Sequence, residues 1–316
     1  MSARELGEKT PIRRKAKSTL LYKLMALAAA FIWGTSFVVM KDAVDTVTPC
    51  WLLAMRFIGA GVVLGLFIPS RIRRSFTKKS LLYGSLFGAL LFLGYWTQTV
   101  GLVYTTPGKN AFLTAVYCVL VPFGWWLVAR KKPTPFNIIA AVVCLAGLAF
   151  VSLDGELGFD LGERWTLLCA VFYALHLMCV SKFSEGRDIY VLTMIQFLVA
   201  GLLALVFGLV SEPVPNFATL SMDFWFNLAF LALFASLLAL LFQNIALKYV
   251  PPAQASLLLS LESVFGVSAS VLFYGESLTI KLVLGFSLIF IGIVISETGA
   301  SYVARSKMRA TSKKEN

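Results

Sequence analysis

The sequence predicts an all-α integral membrane protein whose ten transmembrane helices form two inverted five-helix repeats. Three observations lead to this fold: an apolar composition, ten stretches that could cross a bilayer, and a similarity between the two halves of the chain. Of the 316 residues, 59% are hydrophobic and 14% are charged, whereas a soluble domain has about 45–50% and about 25%. The composition therefore excludes a soluble enzyme, a disordered chain and a nucleic-acid-binding domain.

Ten apolar stretches approach the length of about 20 residues that a spanning helix needs. We number them spans 1 to 10, in chain order: 20–40, 49–69, 81–103, 109–129, 135–153, 165–182, 189–210, 224–247, 252–274 and 279–298. They predict a first repeat over 20–153, a second over 165–298, and basic cytoplasmic tails over 1–19 and 299–316. The links between the spans are too short to hold a soluble catalytic domain.

Lysine and arginine are distributed unevenly between alternate links. With the N-terminus placed inside, 22 of the 28 lie on the cytoplasmic side and 4 on the other, while Lys23 and Arg56 lie within spans. Such an excess marks the cytoplasmic loops of membrane proteins. We therefore expect a multi-pass protein of a bacterial cell (plasma) membrane with both termini in the cytoplasm. The acidic Asp154, Glu156 and Asp160 fall in a predicted external loop.

The two halves of the chain resemble each other at an offset of 145 residues. Gln98 then aligns with Gln243, and Pro107 aligns with Pro252. Each half holds five predicted spans, and an odd number of spans makes the second half enter the membrane from the opposite side. Inverted repeats of this kind are typical of secondary transporters, whose substrate site lies near the midplane between the halves.

Several short motifs resemble those of the EamA family of the drug/metabolite transporter (DMT) superfamily. They are Trp33-Gly34-Thr35-Ser36-Phe37, Arg56-Phe57, Thr105-Thr106-Pro107-Gly108, Asn110-Ala111-Phe112-Leu113, Gln243-Asn244, Leu261-Glu262-Ser263 and Tyr274-Gly275-Glu276. The resemblance covers about residues 20–298. It implies ten helices in two five-helix halves, and a central cavity lined mainly by spans 1, 3, 4, 6, 8 and 9. It also implies the transport of metabolites, often the export of amino acids or small toxic compounds.

The chain departs from the family pattern at two positions. Ser263 replaces the proline that commonly follows the glutamate of span 9, which puts the local helix kink in question. Lys131 occupies the position that aligns with Glu276 at the offset of 145, where the family often has an acidic residue. Any role of this acidic residue can therefore operate only in the second half, at Glu276.

Two charged residues interrupt otherwise apolar spans. Arg56 lies in span 2 and Glu262 in span 9, and charge at membrane depth usually faces a cavity or a partner. Arg56 could bind a substrate carboxylate, and Glu262 could bind a cation or couple transport to protons. A structural Arg–Glu pair, or two separate hydrogen-bonded side chains, would explain the same residues.

Uncharged polar and aromatic residues at the same depth complete the predicted substrate-binding set. The full set is Trp33, Ser36, Arg56, Tyr95, Gln98, Tyr117, His176, Gln243, Asn244 and Glu262. Gln98, Gln243 and Asn244 need hydrogen-bond partners in the membrane and could instead join helices. Tyr117 aligns with Glu262 at the offset of 145. His176, the only histidine in the chain, could exchange protons or simply pack.

These residues predict a secondary active transporter, an exporter of small metabolites, amino acids or drug-like compounds, that works by alternating access. A membrane channel and a membrane-embedded enzyme are the alternatives, but the chain has no motif of a hydrolase, a metalloprotease or an ATPase. We expect no catalytic residue, no metal and no cofactor. The expected partners are a small-molecule substrate and the lipid bilayer, with no nucleic acid, and two G-x-x-x-G pairs would allow a homodimer.

Overall fold

The computed structural model describes residues 11–130, 132–152 and 160–277, and the segments 279–281, 283–288, 290–292, 294–295 and 298–299. The described residues form helices and connecting turns without a β-strand. Eight helical stretches are long and apolar enough to cross a membrane. They are Leu20–Thr46, Pro49–Phe67, Lys78–Val103, Pro107–Leu127, Leu161–Phe183, Ile189–Ser211, Met222–Tyr249 and Pro252–Tyr274. The prediction of a multi-pass, all-helical membrane protein is confirmed.

The eight stretches correspond to predicted spans 1 to 4 and 6 to 9. At the place of span 5 the structure has the helix Pro135–Ser152, whose described apolar part is Pro135–Cys144. At the place of span 10 it has a short apolar helix, Val283–Gly292. The predicted external residues Asp154 and Glu156, and the C-terminal tail beyond 299, lie outside the described residues.

Proline begins several of these helices. Pro49, Pro107 and Pro252 each occupy the first turn of a helix, where proline costs no hydrogen bond and its fixed φ suits the helix. Hydroxyl side chains cap other starts. Thr77 Oγ1 accepts a hydrogen bond from Ser80 N (3.1 Å), and Ser221 Oγ accepts one from Phe224 N (3.2 Å). The local sequence thus defines where the helices begin.

Spans 4 and 9 are each broken in the middle. Span 4 consists of Pro107–Thr114 and Tyr117–Ala129, and span 9 of Pro252–Ser260 and Glu262–Ala269, followed by a π-helical turn. The break in span 9 forms without the family's proline, while Ser263 Oγ donates a hydrogen bond to Ser260 O (2.7 Å). The substitution at Ser263 therefore does not remove the interruption of the helix.

Span 8 contains a π-helical segment, Leu231–Leu238, between two α-helical segments. A π-helix shifts the hydrogen bonds to an i→i+5 pattern and is frequent at functional sites. Nothing in the sequence of Leu231–Leu238 predicts a π-helix. The segment contacts span 1 through Ala235 and span 2 through Ser236.

Glycines allow spans 2 and 3 to pack closely against span 7. A Cβ at Gly61 would lie 2.8 Å from the Leu198 side chain, and a Cβ at Gly88 would lie 2.7 Å from Gln196 O. Small residues at such interfaces let helix backbones approach. The G-x-x-x-G pairs within spans 2 and 3, Gly61/Gly65 and Gly84/Gly88, therefore each include a glycine that makes a contact within the chain.

The bundle has two ends, which we name after one residue at each. The Glu276 end holds the described connections near residues 47–48, 104–106, 160, 212–221 and 275–277. The Arg187 end holds those near 68–77, 130–134, 184–188 and 250–251. From the charge distribution, we expect the Arg187 end to face the cytoplasm.

Candidate substrate cavity

A central cavity lies between the spans, and the space in it that is open to the centre of a water molecule is about 30 Å³. Its lining comes from spans 1, 3, 4, 6, 8 and 9, and from span 2 through Arg56. The lining residues are Trp33, Ser36, Phe37, Met40, Arg56, Leu91, Tyr95, Gln98, Tyr117, Tyr173, His176, Leu177, Leu240, Gln243 and Glu262.

The guanidinium of Arg56 is buried, with 1% of the residue exposed. Its Nε donates a hydrogen bond to Ser236 Oγ (2.8 Å) in the π-helical segment of span 8. The guanidinium carbon lies 4.7 Å from the centre of the Tyr95 ring, a distance at which a cation and an aromatic face attract each other. Within the described residues no carboxylate lies in ion-pair distance of Arg56.

Glu262 lies at the helix break of span 9, with 4% of its surface exposed. The predicted alternative of an Arg56–Glu262 ion pair is not observed among the residues that the structure describes. The carboxylate instead lies within interaction distance of the phenol of Tyr117. The buried Tyr117 hydroxyl makes no hydrogen bond of 3.5 Å or less in the described part of the chain. A polar ligand could satisfy both groups.

Tyr117 and Glu262 occupy equivalent places in the two broken spans. Each is the first residue of the helical segment that follows the break. The residues directly before them have similar backbone angles, with φ −57° and ψ −20° at Val116 and φ −61° and ψ −12° at Leu261. Because the backbones match and the side chains differ, one half offers a phenol to the cavity and the other offers a carboxylate.

Gln98 joins three spans at the cavity wall. Its Oε1 accepts a hydrogen bond from the Tyr173 hydroxyl (3.0 Å), and its Nε2 donates one to Thr114 Oγ1 (3.1 Å). The interhelical bonds that the sequence allowed for Gln98 are therefore present. Gln243, its counterpart in the second half, makes only a long contact of 3.5 Å with Asn244 Oδ1. The amide of Gln243 is thus the more available of the two for a ligand.

Trp33 connects the first half to the π-helical segment of span 8. Its Nε1 donates a hydrogen bond to Ala235 O (2.7 Å), one residue before Ser236, which binds Arg56. The π-helical segment therefore presents consecutive residues to Trp33 and Arg56.

A glycine beside Trp33 brings span 1 against span 9. A Cβ at Gly34 would collide with the Cβ of Phe265 and would lie 2.9 Å from Glu262 O. Only a residue without a side chain permits this approach. Spans 1 and 9 therefore approach each other closely next to Glu262.

Ser36 and His176 also line the cavity, but both have protein partners. Ser36 Oγ donates to Trp33 O (2.8 Å). The His176 Nε2 atom lies 3.4 Å from Gln196 Oε1, and the imidazole meets the Phe87 ring edge-on at 6.3 Å. His176 is thus held in place by packing at the wall of the cavity.

Asn244 lies behind the cavity wall rather than in it. Its Nδ2 donates a hydrogen bond to Thr193 Oγ1 of span 7 (3.0 Å), which is the packing role that the sequence left open. Tyr173, in contrast, lines the cavity and was missed. It lies one helical turn before His176, and that spacing on one face of span 6 could have identified it.

The lining combines an aromatic wall with opposite charges. Trp33, Tyr95, Tyr117 and Tyr173 surround the space, and the rings of Tyr95 and Tyr173 meet edge-on with centroids 5.4 Å apart. One cation and one acid face this wall without pairing in the described residues. Such a site can bind a compact organic molecule, with the aromatic rings supplying contact area and the polar groups its orientation.

The chain is similar to known families and proteins. The sequence profile of the EamA-like transporter family matches residues 20–153 and 160–298. A protein of Archaeoglobus fulgidus described as an uncharacterized transporter is 31% identical, over 87% of this chain and 85% of its own length. The uncharacterized transporter YoaV of Bacillus subtilis is 25% identical, over 85% of this chain and 94% of its own.

Two further similarities agree with these. The uncharacterized inner membrane transporter YedA of Escherichia coli K12 is 24% identical, over 86% of this chain and 89% of its own. One solved crystal structure superposes with a TM-score of 0.67 at 19% identity, covering 89% of this chain and 98% of the other. At that identity the superposition supports the fold alone.

Proposed function

The chain belongs to the EamA-like transporter family, and from this premise we propose that it is a secondary active transporter of small organic molecules. It moves small metabolites, amino acids or drug-like compounds across the cytoplasmic membrane, in the direction of export. The observation that carries the proposal is the central cavity, in which Arg56 and Glu262 are both buried and unpaired within the described residues.

The proposed architecture is ten spans in two inverted five-helix repeats. It is supported by the shared break of spans 4 and 9 and by the offset of 145, which aligns the starts Pro107 and Pro252. A second likeness is a lysine contact in each half. Lys41 Nζ donates to Leu102 O (3.2 Å) between spans 1 and 3, and Lys248 Nζ donates to Arg187 O (2.7 Å) between span 8 and the link that follows span 6. Spans 6 and 8 are the counterparts of spans 1 and 3.

Alternating access then exposes the cavity first at one end of the bundle and then at the other. Repeats that swap conformations around a fixed central site achieve this. The broken spans 4 and 9 are the segments best suited to move, because a helix bends more easily where its hydrogen-bond ladder is interrupted. The substrate meets Tyr117 and Glu262 at the two breaks.

The charges of the cavity define the preferred substrate. A guanidinium binds a carboxylate through charge-assisted hydrogen bonds, and Glu262 attracts an ammonium group. A molecule that carries both groups and an apolar side chain neutralises Arg56 and Glu262 at once. We therefore expect small zwitterions with an apolar or aromatic group to bind better than compounds with one charge.

Binding of three compounds of similar size tests this. L-Phenylalanine carries both charges, its amide carries only the ammonium group, and phenylpropionate carries only the carboxylate. The purified protein is heated with each compound, and the melting temperature should rise most with L-phenylalanine, because a ligand stabilises by RT ln(1 + [L]/Kd). No rise with any of the three, nor with nucleosides or quaternary amines, would contradict the proposed binding cavity.

Counterflow in proteoliposomes separates a transporter from a channel. Vesicles loaded with unlabelled ligand should accumulate labelled ligand transiently, and uptake should saturate with concentration. A channel gives neither behaviour, because it does not exchange one molecule for another. Flux that rises linearly with concentration would overturn the transporter proposal.

A further inference from the structure

The carboxylate of Glu276 connects the two halves of the protein at the Glu276 end. Its Oε1 accepts a hydrogen bond from Thr106 Oγ1 (2.6 Å), and its Oε2 accepts one from Gly108 N (3.1 Å). Ser270 Oγ, from span 9, which precedes Glu276, also donates to Oε2. Glu276 thus caps the N-terminus of Pro107–Thr114, the first segment of span 4, where a negative charge is stabilising.

The sequence around Gly108 is adapted to this contact. A Cβ at position 108 would collide with Glu276 Oε2. A glycine therefore allows the carboxylate to reach the amide of Gly108. Thr106 serves twice, since its hydroxyl also accepts a hydrogen bond from Lys109 N (3.3 Å).

The segment that Glu276 holds lies between the cavity and the end of the bundle. Pro107–Thr114 ends at the break of span 4, and Tyr117, which lines the cavity, begins the next segment. In span 9 the break at Leu261 lies on the cavity side of Glu276. Each of the two joined segments therefore has a natural hinge at the depth of the cavity and is fastened at its far end by one carboxylate.

The residues that correspond to this contact in the other half cannot form it. At the offset of 145, Glu276 corresponds to Lys131 and Thr106 corresponds to Pro251. A lysine cannot accept hydrogen bonds, and Pro251 has no hydroxyl to donate one. The contact is thus a property of the Glu276 end alone.

We propose that Glu276, Thr106 and Gly108 form a latch that keeps the cavity closed at the Glu276 end. Opening to that side breaks the hydrogen bonds of Glu276 and lets Pro107–Thr114 swing away about the break at Ala115. The latch deepens the proposed alternating-access mechanism and rests on it. Its test measures access to the cavity and needs neither a known substrate nor transport.

Glu212 provides a matched control for the latch. It also belongs to the second half and caps a helix of the first half at the same end, because its carboxylate oxygens lie 3.0 and 3.1 Å from Cys50 N. Its helices, Pro49–Phe67 and Ile189–Ser211, have no break. Removing the charge of Glu212 should therefore weaken a cap without opening the cavity.

The experiment uses a single reporter cysteine in the cavity. Ser36→Cys is introduced into the full chain after the five native cysteines have been replaced by alanine. A membrane-impermeant methanethiosulfonate is then applied to oriented membrane vesicles from the side of the Glu276 end. Glu276→Gln should raise the labelling rate about tenfold, because hydrogen bonds to a charged group are lost, whereas Glu212→Gln should leave the rate unchanged.

A second variant makes the outcome independent of any single substitution. Gly108→Ala keeps Glu276 but displaces its carboxylate, so it should also raise the labelling rate. Gel filtration checks that each variant is folded. Unchanged rates in both latch variants, or an equal rise in Glu212→Gln, would overturn the proposal. Faster labelling of the latch variants would support the latch even if no ligand is found, so the two proposals can fail separately.

Discussion

Arg56 and Glu262 line one cavity and form no ion pair with each other, nor with any other residue that the structure describes. A buried charge without a partner is costly in a membrane. The charge of Arg56 is stabilised by the hydroxyl of Ser236 and by the face of the Tyr95 ring. Beside the carboxylate of Glu262, the neighbouring polar group in the described residues is the phenol of Tyr117. The two side chains are therefore available to a ligand, and they can be tested one at a time.

Arg56→Gln should weaken the binding of phenylpropionate and L-phenylalanine, but not that of phenylalanine amide. A hydrogen bond to a charged group contributes about 1.5–3 kcal/mol, so Kd should rise about 10- to 100-fold for the compounds that carry a carboxylate. Isothermal titration calorimetry measures these constants.

Arg71→Gln is the matched control for this prediction. Arg71 pairs with Asp188 at the Arg187 end, away from the cavity, so its loss should not change the Kd of any of the compounds. An equal loss of affinity for all three compounds in Arg56→Gln would show that Arg56 only supports the structure.

Glu262→Gln tests the hypothesis that Glu262 couples transport to protons. A glutamine keeps the shape of the side chain but cannot release a proton. Accumulation of L-phenylalanine driven by a pH gradient should be abolished, while exchange across proteoliposome membranes should stay close to that of the unmodified protein, since exchange needs no net proton movement.

Glu163 is the control for Glu262. It is also buried, but it lies at the Glu276 end, away from the cavity, and has partners within the protein. It pairs with Lys109 (3.7 Å) and accepts a hydrogen bond from Asp160 N. Glu163→Gln should therefore accumulate the amino acid as before. A Glu262→Gln protein that still accumulates it under a pH gradient would exclude the coupling role.

Gly34→Ala should destabilise the protein by about 1–3 kcal/mol, because inserting a methyl group into a close contact displaces backbone. The atoms that the new Cβ meets include Glu262 O and Gly266 N, each at 2.9 Å, and neither can move without shifting span 9. Thermal unfolding in detergent should show a lower melting temperature.

Gly59→Ala is the comparison for this measurement. No atom lies within 4 Å of a Cβ at Gly59, and alanine is favoured over glycine inside a helix by about 0.5–1 kcal/mol. Its melting temperature should stay the same or rise. A similar decrease in both variants would contradict the packing role of Gly34.

The charge distribution predicts which end of the bundle faces the cytoplasm. Thr219→Cys, exposed at the Glu276 end, should react with an impermeant thiol reagent in intact cells. Lys79→Cys, exposed at the other end, should react only after the membrane is permeabilised. The reverse pattern would invert the orientation and, with it, the side on which the latch acts.

Much of the fold followed from the sequence because lipid imposes strict rules on composition. The apolar stretches predicted a multi-pass helical membrane protein and the motifs predicted the family, and both were confirmed, with eight of the ten predicted spans found as helices long enough to cross a membrane. The structure also places nine of the ten predicted site residues on one cavity. Residues such as Arg56 and Gln98 are conspicuous, since charged and amide groups are expensive at membrane depth.

What the sequence could not predict depends on contacts between distant segments. Ser236 became a partner of Arg56 because a π-helical segment turned it toward span 2, and nothing in Leu231–Leu238 signals that geometry. Glu276 was recognised as part of a motif, but its partner Thr106 lies 170 residues earlier. Hydrogen bonds at that separation are fixed by how the halves pack, and local patterns do not report it.

The π-helical segment of span 8 has a consequence for insertions and deletions. Each hydrogen-bonded ring of an i→i+5 pattern encloses one residue more than a ring of the i→i+4 pattern of an α-helix. Removing one residue from Leu231–Leu238 would let the span become a continuous α-helix with Gln243 still facing the cavity, at the loss of the acceptor for Trp33. Removing one residue between Ala239 and Gln243 would rotate Gln243 by about 100° away from the cavity. The length of span 8 is therefore adjustable at one place only, and that place is where it touches Trp33 and Arg56.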